Sequence, residues 1–353
     1  MRVSDFDFPL PPELIAQTPA PRGTSRLLVL DRATGAVTHQ HIGDLPAWLR
    51  AGDLLVVNDT RVFPARLLGH RVPSGGRVEV MLIEQKAPDL WDALVHPGQK
   101  LKPGARVRLE GQSEGGAQGT LPVIEGEIVG RASFGRRTIR LSTTSGTIDE
   151  AIDAIGHVPL PPYIARPDSD ADRERYQTIY ARARGSVAAP TAGLHFTPAL
   201  LDRLASHGVE RVSITLHVGY GTFKPVRVED VEEHTVDPER FTIGADAASR
   251  IMQARDAGRR IVAVGTTTVR ALESAGRSGR MVAGEGVTDL FIHPGGHRIA
   301  WVDALLTNFH LPRSSLLMLV CAFAGREKVL RAYHEAVAEG YRFYSYGDAM
   351  LIV

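Results

Sequence analysis

A histidine in a glycine-rich loop is the first group of this sequence whose type and setting suit chemistry. His195 lies between two apolar residues near the end of segment 185–197. Gly193 permits a tight turn or the close approach of a ligand, and a titratable imidazole beside open backbone suits a substrate pocket. The alternative is a helix-entry loop with a hydrogen-bonded structural histidine, because Thr197 and Pro198 are typical of a helix start. Taken alone, the segment supports both interpretations.

A second segment has the pattern of a strand, a small-residue turn and a helix start. Residues 260–264 are mostly apolar, and Gly265 and three threonines follow them. Free backbone N–H groups and the positive end of the helix dipole predict an anion site at this turn, with threonine hydroxyls as further donors. Simple N-capping by one threonine is the structural alternative. The turn lacks the lysine of a Walker loop.

Two further segments combine polar and aromatic side chains with flexible backbone. In residues 217–223, two glycines let the backbone approach a flat ligand, and Tyr220 and Phe223 are expected to stack on a flat ring or face a cation. Asn308 and His310 flank a phenylalanine where a strand is predicted to end. An amide and an imidazole emerging together can fix a purine edge or move a proton. Turn glycines, core aromatics and loop-fixing hydrogen bonds are the structural alternatives.

Candidates elsewhere depend on single residues. Asp289 is expected at the start of a strand and is the best isolated carboxylate. Near the C-terminus, Tyr344 and Tyr346, next to Asp348, are expected to line a pocket, although a core strand would have a similar sequence. Segment 293–297 contains two histidines without a third ligand nearby, and zinc sites normally have three or four. We therefore predict no metal site.

The elements that must position these residues indicate a mixed α/β fold with a small inserted β domain. The rest of the chain, 1–66 and 142–353, is predicted to form a discontinuous α/β domain with buried parallel-type strands at 54–57 and 260–264. Short strands with turn residues between them predict an antiparallel β-barrel or sandwich within 67–141. These strands are expected at 78–84, 91–95, 105–109, 126–129 and 137–141. Helices are predicted at 170–184, 198–207, 246–257, 269–275 and 327–339.

Length and composition predict a soluble protein of two domains. The 353 residues exceed what one hydrophobic core usually organises, and 43% of them are hydrophobic. The longest apolar run, 316–324, is too short to cross a bilayer, which takes about 20 residues. No signal-peptide core follows the acidic start of the chain. The single cysteine, Cys321, excludes an internal disulfide and is expected to be a buried packing residue. We therefore expect a cytoplasmic protein without membrane attachment.

Basic residues are concentrated in the predicted β domain. Residues 61–140 hold 13 Lys and Arg against 8 Asp and Glu, although the whole chain carries a net charge of only +1. A patch that follows a phosphate backbone would have this composition, and a solvated strand face is the commoner explanation. The candidates for phosphate contact are Arg61, Arg66, Arg131, Arg136, Arg137 and Arg140.

The segments together strongly resemble the S-adenosylmethionine:tRNA ribosyltransferase-isomerases of queuosine biosynthesis. The resemblance extends from Asp5 to the C-terminus and rests on six ordered motifs. The motifs are 58–66, 185–197, 217–223, 264–270, 302–312 and 341–350. The resemblance implies an α/β enzyme with an inserted β-barrel, S-adenosylmethionine as cosubstrate, and neither a metal nor another cofactor. Segments 234–239 and 295–298 depart from the family's usual pattern, so only His234 is kept there as a candidate.

The reaction that this resemblance implies transfers and isomerises the ribosyl group of S-adenosylmethionine. The acceptor is 7-aminomethyl-7-deazaguanine in the tRNA anticodon loop, and epoxyqueuosine-tRNA, adenine and methionine are the products. A sulfonium acidifies its C5′ protons, the leaving adenine needs an acid, and the attacking amine must be neutral. The candidates for these proton transfers are His195, His217, His310 and Asp289. The candidates for substrate binding are Thr191, Gly193, Gly219, Tyr220, Gly221, Thr222, Phe223, Thr266, Thr267, Arg270, Asn308, Tyr346 and Asp348.

Two other functions are compatible with parts of the sequence. One is a non-enzymatic RNA-binding module, which would have little need for His, Asp and Asn in glycine-rich loops. The other is an enzyme that cleaves S-adenosylmethionine or a nucleoside as a free small molecule, which would have no use for a basic inserted domain. We expect a monomer that binds tRNA and S-adenosylmethionine.

Overall fold

The buried strands Leu54–Asn58 and Ile261–Val264 lie side by side near the centre of a large mixed sheet. The computed structural model describes residues 1–111, 121–132 and 135–353. The strands are β1 (Arg26–Leu30), β2 (Val37–His41), β3 (Leu54–Asn58), β4 (Thr60–Val62), β5 (Arg66–Val72), β6 (Arg77–Ala87), β7 (Leu90–His96), β8 (Arg106–Glu110), β9 (Val123–Arg131), β10 (Arg137–Thr143), β11 (Ala183–Ser186), β12 (Glu210–Leu216), β13 (Glu239–Ile243), β14 (Ile261–Val264), β15 (Gly284–Thr288), β16 (Ala304–Asn308) and β17 (Ala349–Ile352). The α-helices are α1 (Ile148–Ile155), α2 (Asp170–Arg175), α3 (Pro198–Ser206), α4 (Ala245–Asp256), α5 (Thr266–Ala275), α6 (Ser315–Ala324) and α7 (Arg326–Ala338).

The order of the strands determines where loop residues meet. Within the described residues the large sheet has nine strands in the order β15-β13-β12-β3-β14-β16-β17-β1-β2. Strands β12, β3, β14 and β16 run parallel, and β17 is antiparallel to β16. The segments that follow the parallel strands therefore emerge at one edge of the sheet, together with the segment that precedes β17. In open α/β sheets this carboxyl edge is where ligands bind.

Helices cover both faces of the central strands. Leu54 and Val56 belong to a core that includes apolar residues of α4, α5, α6 and α7, whereas Leu55 and Val57 pack in a second core with α3. The continuous apolar run of β3 is explained by this burial on both faces. The prediction of buried parallel strands at 54–57 and 260–264 is confirmed.

The inserted domain is a closed barrel. Among the described residues its six strands follow the order β10-β7-β6-β5-β8-β9, and every neighbouring pair is antiparallel. Trp91, Val107, Ile128 and Ile139 are among the residues that fill it. The predicted α/β fold with an inserted antiparallel β-barrel is thus confirmed. The domain boundary at 67 and 141 stays a prediction.

Four predicted helices are confirmed and one is mostly wrong. Helices α3, α4, α5 and α7 lie within three residues of their expected bounds. The helix predicted at 170–184 ends at Arg175, because Tyr176 leaves helical geometry (φ −89°, ψ 32°) and its ring is fully buried. Residues Ala183–Ser186 instead form β11, which pairs with β4.

The prediction for Cys321 is confirmed, and the one for Asp289 is wrong. Cys321 lies in α6 at 1% exposure, and burial raises the pKa of its thiol to about 12, so the predicted packing role is confirmed. Asp289 does not begin a strand, because β15 ends at Thr288 and Asp289 follows it. No helix in the described ranges is long and apolar enough to cross a membrane.

Candidate active site

A cavity opens at the carboxyl edge of the parallel strands. Its volume, including the open mouth, is about 550 Å³. The lining residues come from five of the six sequence motifs, with contributions from two segments outside them. They are Tyr163, Ala188, Ala189, Pro190, Thr191, Ala192, Val218, Thr222, Gly265, Thr266, Thr267, Thr307, Asn308, Phe309, His310, Leu316, Tyr344 and Ser345. Segments that lie far apart in the sequence therefore form one site.

The turn after β14 offers hydrogen-bond donors to this cavity. Gly265 has a φ of 88°, which favours glycine, and no side chain caps helix α5, which begins at Thr266. The first amides of a helix lack acceptors within the helix. The hydroxyl of Thr268 donates to the main-chain oxygen of Val264 (2.7 Å), but Thr266 and Thr267 line the cavity. The turn has the geometry of an anion site.

The remaining motif, residues 58–66, supports the cavity without lining it. The Oδ1 atom of Asn58, at the end of β3, accepts hydrogen bonds from the main-chain nitrogens of Thr60 (3.1 Å) and Leu216 (3.0 Å). Its Nδ2 donates to the main-chain oxygen of Leu216 (2.9 Å). Asn58 therefore joins the ends of β3 and β12 and fixes where the segment after β12 begins.

His310 is the one histidine among the described lining residues. Its Nε2 shares a hydrogen bond with the hydroxyl of Thr307 (3.0 Å), and its main-chain nitrogen donates to the hydroxyl of Tyr333 (3.1 Å). Burial lowers the pKa of His310 to about 3, so the ring is neutral near pH 7. In the part of the chain that the structure describes, no hydrogen bond involves its Nδ1, and this nitrogen is available to a ligand.

His195 lies behind the cavity wall rather than in it. The ring is 4% exposed, its Nδ1 is 2.9 Å from the hydroxyl of Ser25, and its Nε2 is 3.2 Å from Nδ2 of Asn308. Burial and then Arg22 lower the pKa of His195 to about 4. The structure therefore brings His195 into contact with Asn308, which lines the cavity. The imidazole itself does not line it, because Asn308 lies between the ring and the cavity.

His217 faces the cleft between the sheet and the barrel. Its Nδ1 is 2.9 Å from the hydroxyl of Thr60, and its ring lies where a side chain on Gly185 would be. Burial and then Arg240 lower the pKa of His217. This second cavity, about 810 Å³ with its mouth, is also lined by Arg136, Gly219 and Glu239 and meets the first one at Val218.

The loop after β12 forms the wall between the cavities. Thr222 lines the first cavity, and Gly221 lines a smaller neighbouring one. The carboxylate of Glu239 accepts hydrogen bonds from the main-chain nitrogen of Gly219 (2.7 Å) and the hydroxyl of Thr222 (3.3 Å). Tyr220 packs against the barrel core rather than in the first cavity. The side chain of the predicted candidate Phe223 lies outside the described part of the chain.

Arg270 does not offer its guanidinium to the first cavity. It is buried, forms an ion pair with Glu239, and donates from Nε to the main-chain oxygen of Leu290 (3.0 Å). The wall loop and helix α5 are therefore joined by this pair, a contact that the sequence analysis did not find because Glu239 lies outside every motif.

The C-terminal segment places one tyrosine in the cavity and turns the other away. Tyr344 lines the cavity, but Tyr346 is buried elsewhere, and its hydroxyl donates to Asp172 (3.0 Å). The carboxylate of Asp348 accepts from the main-chain nitrogens of Arg26 (2.9 Å) and Arg342 (2.8 Å). Tyr346 and Asp348 thus hold the C-terminal segment in place instead of lining the cavity.

Three more predicted candidates lie outside the cavity lining. Gly193 is buried, and a side chain there would collide with Tyr180 and Thr178. Asp289 is exposed after β15. The ring of His234 packs edge-on against Phe291 with 4.9 Å between ring centroids, and burial lowers its pKa.

Most of the arginines proposed for phosphate contact have protein partners. Arg66 pairs with Glu79 (2.9 Å), Arg136 with Asp237 (3.1 Å) and Arg140 with Asp89 (3.3 Å). Arg137 donates to the main-chain oxygens of Leu101 (3.1 Å) and Gly98 (3.2 Å). Arg61 and Arg131 are exposed.

Neither departure from the family pattern forms a metal centre. In segment 295–298, Nε2 of His297 lies 2.9 Å from the buried carboxylate of Glu273, which also accepts from the main-chain nitrogens of Ala300 and Trp301. Among the described residues, no group of three His, Cys, Asp or Glu side chains is arranged to hold a metal ion.

Several lining residues were not among the predicted candidates. Thr307 and Ser345 are neighbours of predicted residues, so the motif positions contained a signal for them. Tyr163 and Leu316 lie outside the motifs, and Leu316 begins the apolar run 316–324. Nothing in the sequence marks either of them as a lining residue. Ser25, which supports His195 from the start of β1, also has no local signal.

Comparisons with known proteins find relatives that match essentially the whole chain. The chain matches the family described as queuosine biosynthesis protein over residues 3–352. It is 52% identical to the S-adenosylmethionine:tRNA ribosyltransferase-isomerase of Heliobacterium modesticaldum and 50% identical to that of Desulfitobacterium hafniense, over the full length of both chains in each case. The crystal structure of S-adenosylmethionine tRNA ribosyltransferase from Thermotoga maritima is 37% identical. It aligns with a TM-score of 0.54 over 99% of this chain and 100% of that one.

Proposed function

The chain belongs to the queuosine biosynthesis protein family and acts as an S-adenosylmethionine:tRNA ribosyltransferase-isomerase, and we propose that it does so in the cavity at the carboxyl edge of the sheet. The ribosyl group of S-adenosylmethionine is transferred and isomerised onto 7-aminomethyl-7-deazaguanine in tRNA. Epoxyqueuosine-tRNA, adenine and methionine are the products.

The observation that carries the proposal is the convergence of five motifs on one cavity. Thr191, Thr222, Thr267, Asn308 and Tyr344 each come from a different motif and line the same space. Hydroxyl, amide and aromatic groups in a largely apolar pocket are what a nucleoside ligand requires. A pure RNA-binding module would need basic and stacking residues more than a largely apolar pocket with a few hydroxyl and amide groups.

His310 is the residue that we assign to proton transfer in the cavity. Its Nδ1 faces no protein partner in the described ranges, so this nitrogen can contact a proton of a bound ligand. Proton removal beside a sulfonium, protonation of the leaving adenine and deprotonation of the attacking amine all take place in this reaction. His195 and His217 are placed behind the wall and in the neighbouring cleft, and we assign neither to the ligand directly.

The turn at 265–267 is proposed to hold the methionine carboxylate of the cosubstrate. Main-chain amides at the start of α5 and the hydroxyls of Thr266 and Thr267 are donors in an enclosed place, and the helix dipole favours a negative group there. Decarboxylated S-adenosylmethionine should bind about tenfold or more weakly than the full molecule. Equal affinities would mean that the turn does not hold the carboxylate.

Product analysis tests the function itself. The protein is incubated with S-adenosylmethionine and with tRNA that carries the aminomethyl-deazaguanine, and mass spectrometry follows adenine, methionine and the tRNA. The expected result is release of both small molecules and a ribosyl-derived gain in tRNA mass, with modified tRNA only. Methylated tRNA would indicate a methyltransferase, and adenine release without tRNA would indicate a small-molecule enzyme. Binding without turnover in a folded sample would favour the RNA-binding module.

A matched pair of variants assigns the reaction to this cavity. Thr267→Val removes a lining hydroxyl, whereas Thr242→Val makes the same change at an exposed position of β13. We expect Thr267→Val to lower turnover strongly and Thr242→Val to leave it unchanged. Equal turnover in both variants would place the chemistry elsewhere.

The remaining parts of the proposal concern partners and setting. Arg61 and Arg131, which are exposed and take part in none of the ion pairs of the described residues, are proposed to contact tRNA phosphates. The barrel, with boundaries near 67 and 141, is proposed to carry most of this contact. A cytoplasmic monomer with no cofactor besides its cosubstrate stays a prediction, which light scattering and activity after exhaustive dialysis against a chelator would test.

A further inference from the structure

The side-chain amide of Asn308 is held in one orientation. Its Nδ2 lies 3.1 Å from the main-chain oxygen of Tyr344, 3.5 Å from that of Asp348 and 3.2 Å from Nε2 of His195. Main-chain oxygens only accept hydrogen bonds, so the end of the amide that faces them is the NH₂ group. The Oδ1 atom therefore lies on the other side of a side chain that lines the cavity.

His195 takes part in this arrangement as an acceptor. Because Nε2 accepts from Asn308, the ring proton is on Nδ1, which donates to the hydroxyl of Ser25. The lowered pKa of His195, about 4, keeps the ring in this form at neutral pH. A protonated ring would set an N–H group against the N–H group of Asn308. His195 therefore reaches a ligand only through the amide.

The Oδ1 atom of Asn308 has no donor. Asn308 is 2% exposed, and nothing in the described part of the chain donates to this oxygen. A buried acceptor without a donor is costly and uncommon. Since the side chain lines a ligand-sized cavity, a bound molecule is a natural source of the missing N–H group.

Tyr344 indicates the kind of molecule. Its φ of 76° is in the left-handed region, which is uncommon for a bulky side chain and costs free energy. The conformation is held because its main-chain nitrogen donates to Phe309 (3.0 Å) and its main-chain oxygen accepts from Asn308. The tyrosine ring lines the cavity with that of Tyr163. Aromatic rings beside a fixed acceptor suit a flat heterocycle that carries N–H groups.

We propose that His195 is a positioning residue that acts through Asn308, holding the amide so that Oδ1 accepts a hydrogen bond from an N–H group of a heterocyclic base. The identity of the base rests on the proposed function. Adenine in the cosubstrate and the deazaguanine in tRNA both carry such groups, and a two-arm experiment separates them.

In the first arm, binding of S-adenosylmethionine is compared with binding of an analogue that lacks the 6-amino group. In the second arm, modified tRNA is compared with the same tRNA lacking the 2-amino group of the deazaguanine. In the wild-type protein, loss of the recognised amino group should weaken binding about tenfold. In Asn308→Leu this discrimination should disappear in the same arm. Discrimination that Asn308→Leu leaves intact in both arms would overturn the proposal.

Two substitutions at His195 separate positioning from proton transfer. The side-chain oxygen of His195→Gln can still accept from Asn308, whereas His195→Leu cannot. We expect His195→Leu to lose the wild-type discrimination between ligand and analogue, as Asn308→Leu does, and His195→Gln to retain most of it. The loss in His195→Leu should change KM rather than kcat. If His195 were a general base, the result would be the opposite, because His195→Gln would abolish kcat and leave the discrimination between ligand and analogue intact. Circular dichroism and thermal unfolding confirm that each variant folds.

Failure of this inference is distinguishable from failure of the proposed function. If Thr267→Val and Thr242→Val have equal turnover, the cavity is not the active site, and the function proposal fails first. If Thr267→Val alone loses turnover, and the analogue discrimination is unchanged in Asn308→Leu and His195→Leu, only the role of the His195–Asn308 pair is wrong.

Discussion

The guanidinium of Arg270 and the carboxylate of Glu239 form a buried ion pair between helix α5 and the start of β13, beside the loop that separates the two cavities. Glu239 also accepts from Gly219 and Thr222, while Arg270 donates to the main-chain oxygen of Leu290. The turn proposed to bind an anion lies at the start of helix α5, and the loop contributes Thr222 to the lining of the same cavity. The pair therefore holds helix α5, the start of β13 and the loop together, without its charges reaching the first cavity.

Removing one partner of this pair should be strongly destabilising. Glu239→Gln leaves the charge of Arg270 buried and uncompensated, which costs about 3–5 kcal/mol of unfolding free energy in buried pairs. Replacing both residues, as Glu239→Gln with Arg270→Met, should recover part of that loss. Urea unfolding of the two single variants and the double variant measures the coupling free energy. Strictly additive effects would mean that the pair does not act as a unit.

Stability should fall as the pH falls from 6.5 towards 4. The folded-state pKa values of His195 and His310, about 4 and about 3, lie below the ordinary value of 6.5. In this window the unfolded chain takes up protons that the folded chain excludes, so the folded state loses stability. Each histidine contributes about 1.4 kcal/mol per pH unit. Urea unfolding at pH 7, 6 and 5 measures how the unfolding free energy changes with pH.

Variants assign that slope to its residues. His310→Gln should reduce the change of unfolding free energy with pH by the contribution of one histidine, about 1.4 kcal/mol per pH unit. His207→Gln is the matched control, because His207 is exposed at the end of α3, and it should leave the slope unchanged. The assignment is wrong if both substitutions have the same effect.

The strands and most helices could be predicted because their signals are local. Apolar runs marked β3 and β14, and glycines marked helix ends. The helix predicted at 170–184 was mostly wrong because burial of Tyr176 and pairing of β11 with β4 override the helical pattern after Arg175. Long-range contacts of this kind leave no trace in a short window of sequence.

The site was predictable as a set of segments and only in part as a set of side chains: six of the candidates for proton transfer and substrate binding line the cavity, namely Thr191, Thr222, Thr266, Thr267, Asn308 and His310. His195 and His310 have similar sequence surroundings, yet only His310 lines the cavity. Tyr344 and Tyr346 are two residues apart, and the left-handed backbone of Tyr344 gives them different neighbours. Glu239, which holds the wall loop, belongs to no motif. Its role depends on β13 lying next to β12.

Salt dependence should separate the exposed arginines from the paired ones. Arg131→Ala, and likewise Arg61→Ala, should weaken tRNA binding and reduce the slope of log K against log salt by about one, as expected for a lost phosphate contact. Arg137→Ala should leave the slope unchanged, because that guanidinium donates to carbonyl oxygens within the barrel. Filter binding at several salt concentrations measures this. A reduced slope in Arg137→Ala alone would reverse the assignment.

The rate of the chemical step should depend on His310 far more than on His217. His310 lines the cavity and can exchange a proton with a ligand, and such proton transfer is typically worth about 10²–10⁴-fold in rate. His217 lies in the neighbouring cleft, where Thr60 and Gly185 surround its ring. Single-turnover measurements with saturating S-adenosylmethionine and modified tRNA isolate the chemical step from binding. His310→Gln should lower that rate by about 100-fold or more, while His217→Gln should change it by less than about tenfold. If His217→Gln were the slower variant, the chemistry would belong to the cleft beside the barrel, and the wall loop would separate the cosubstrate from the reacting base.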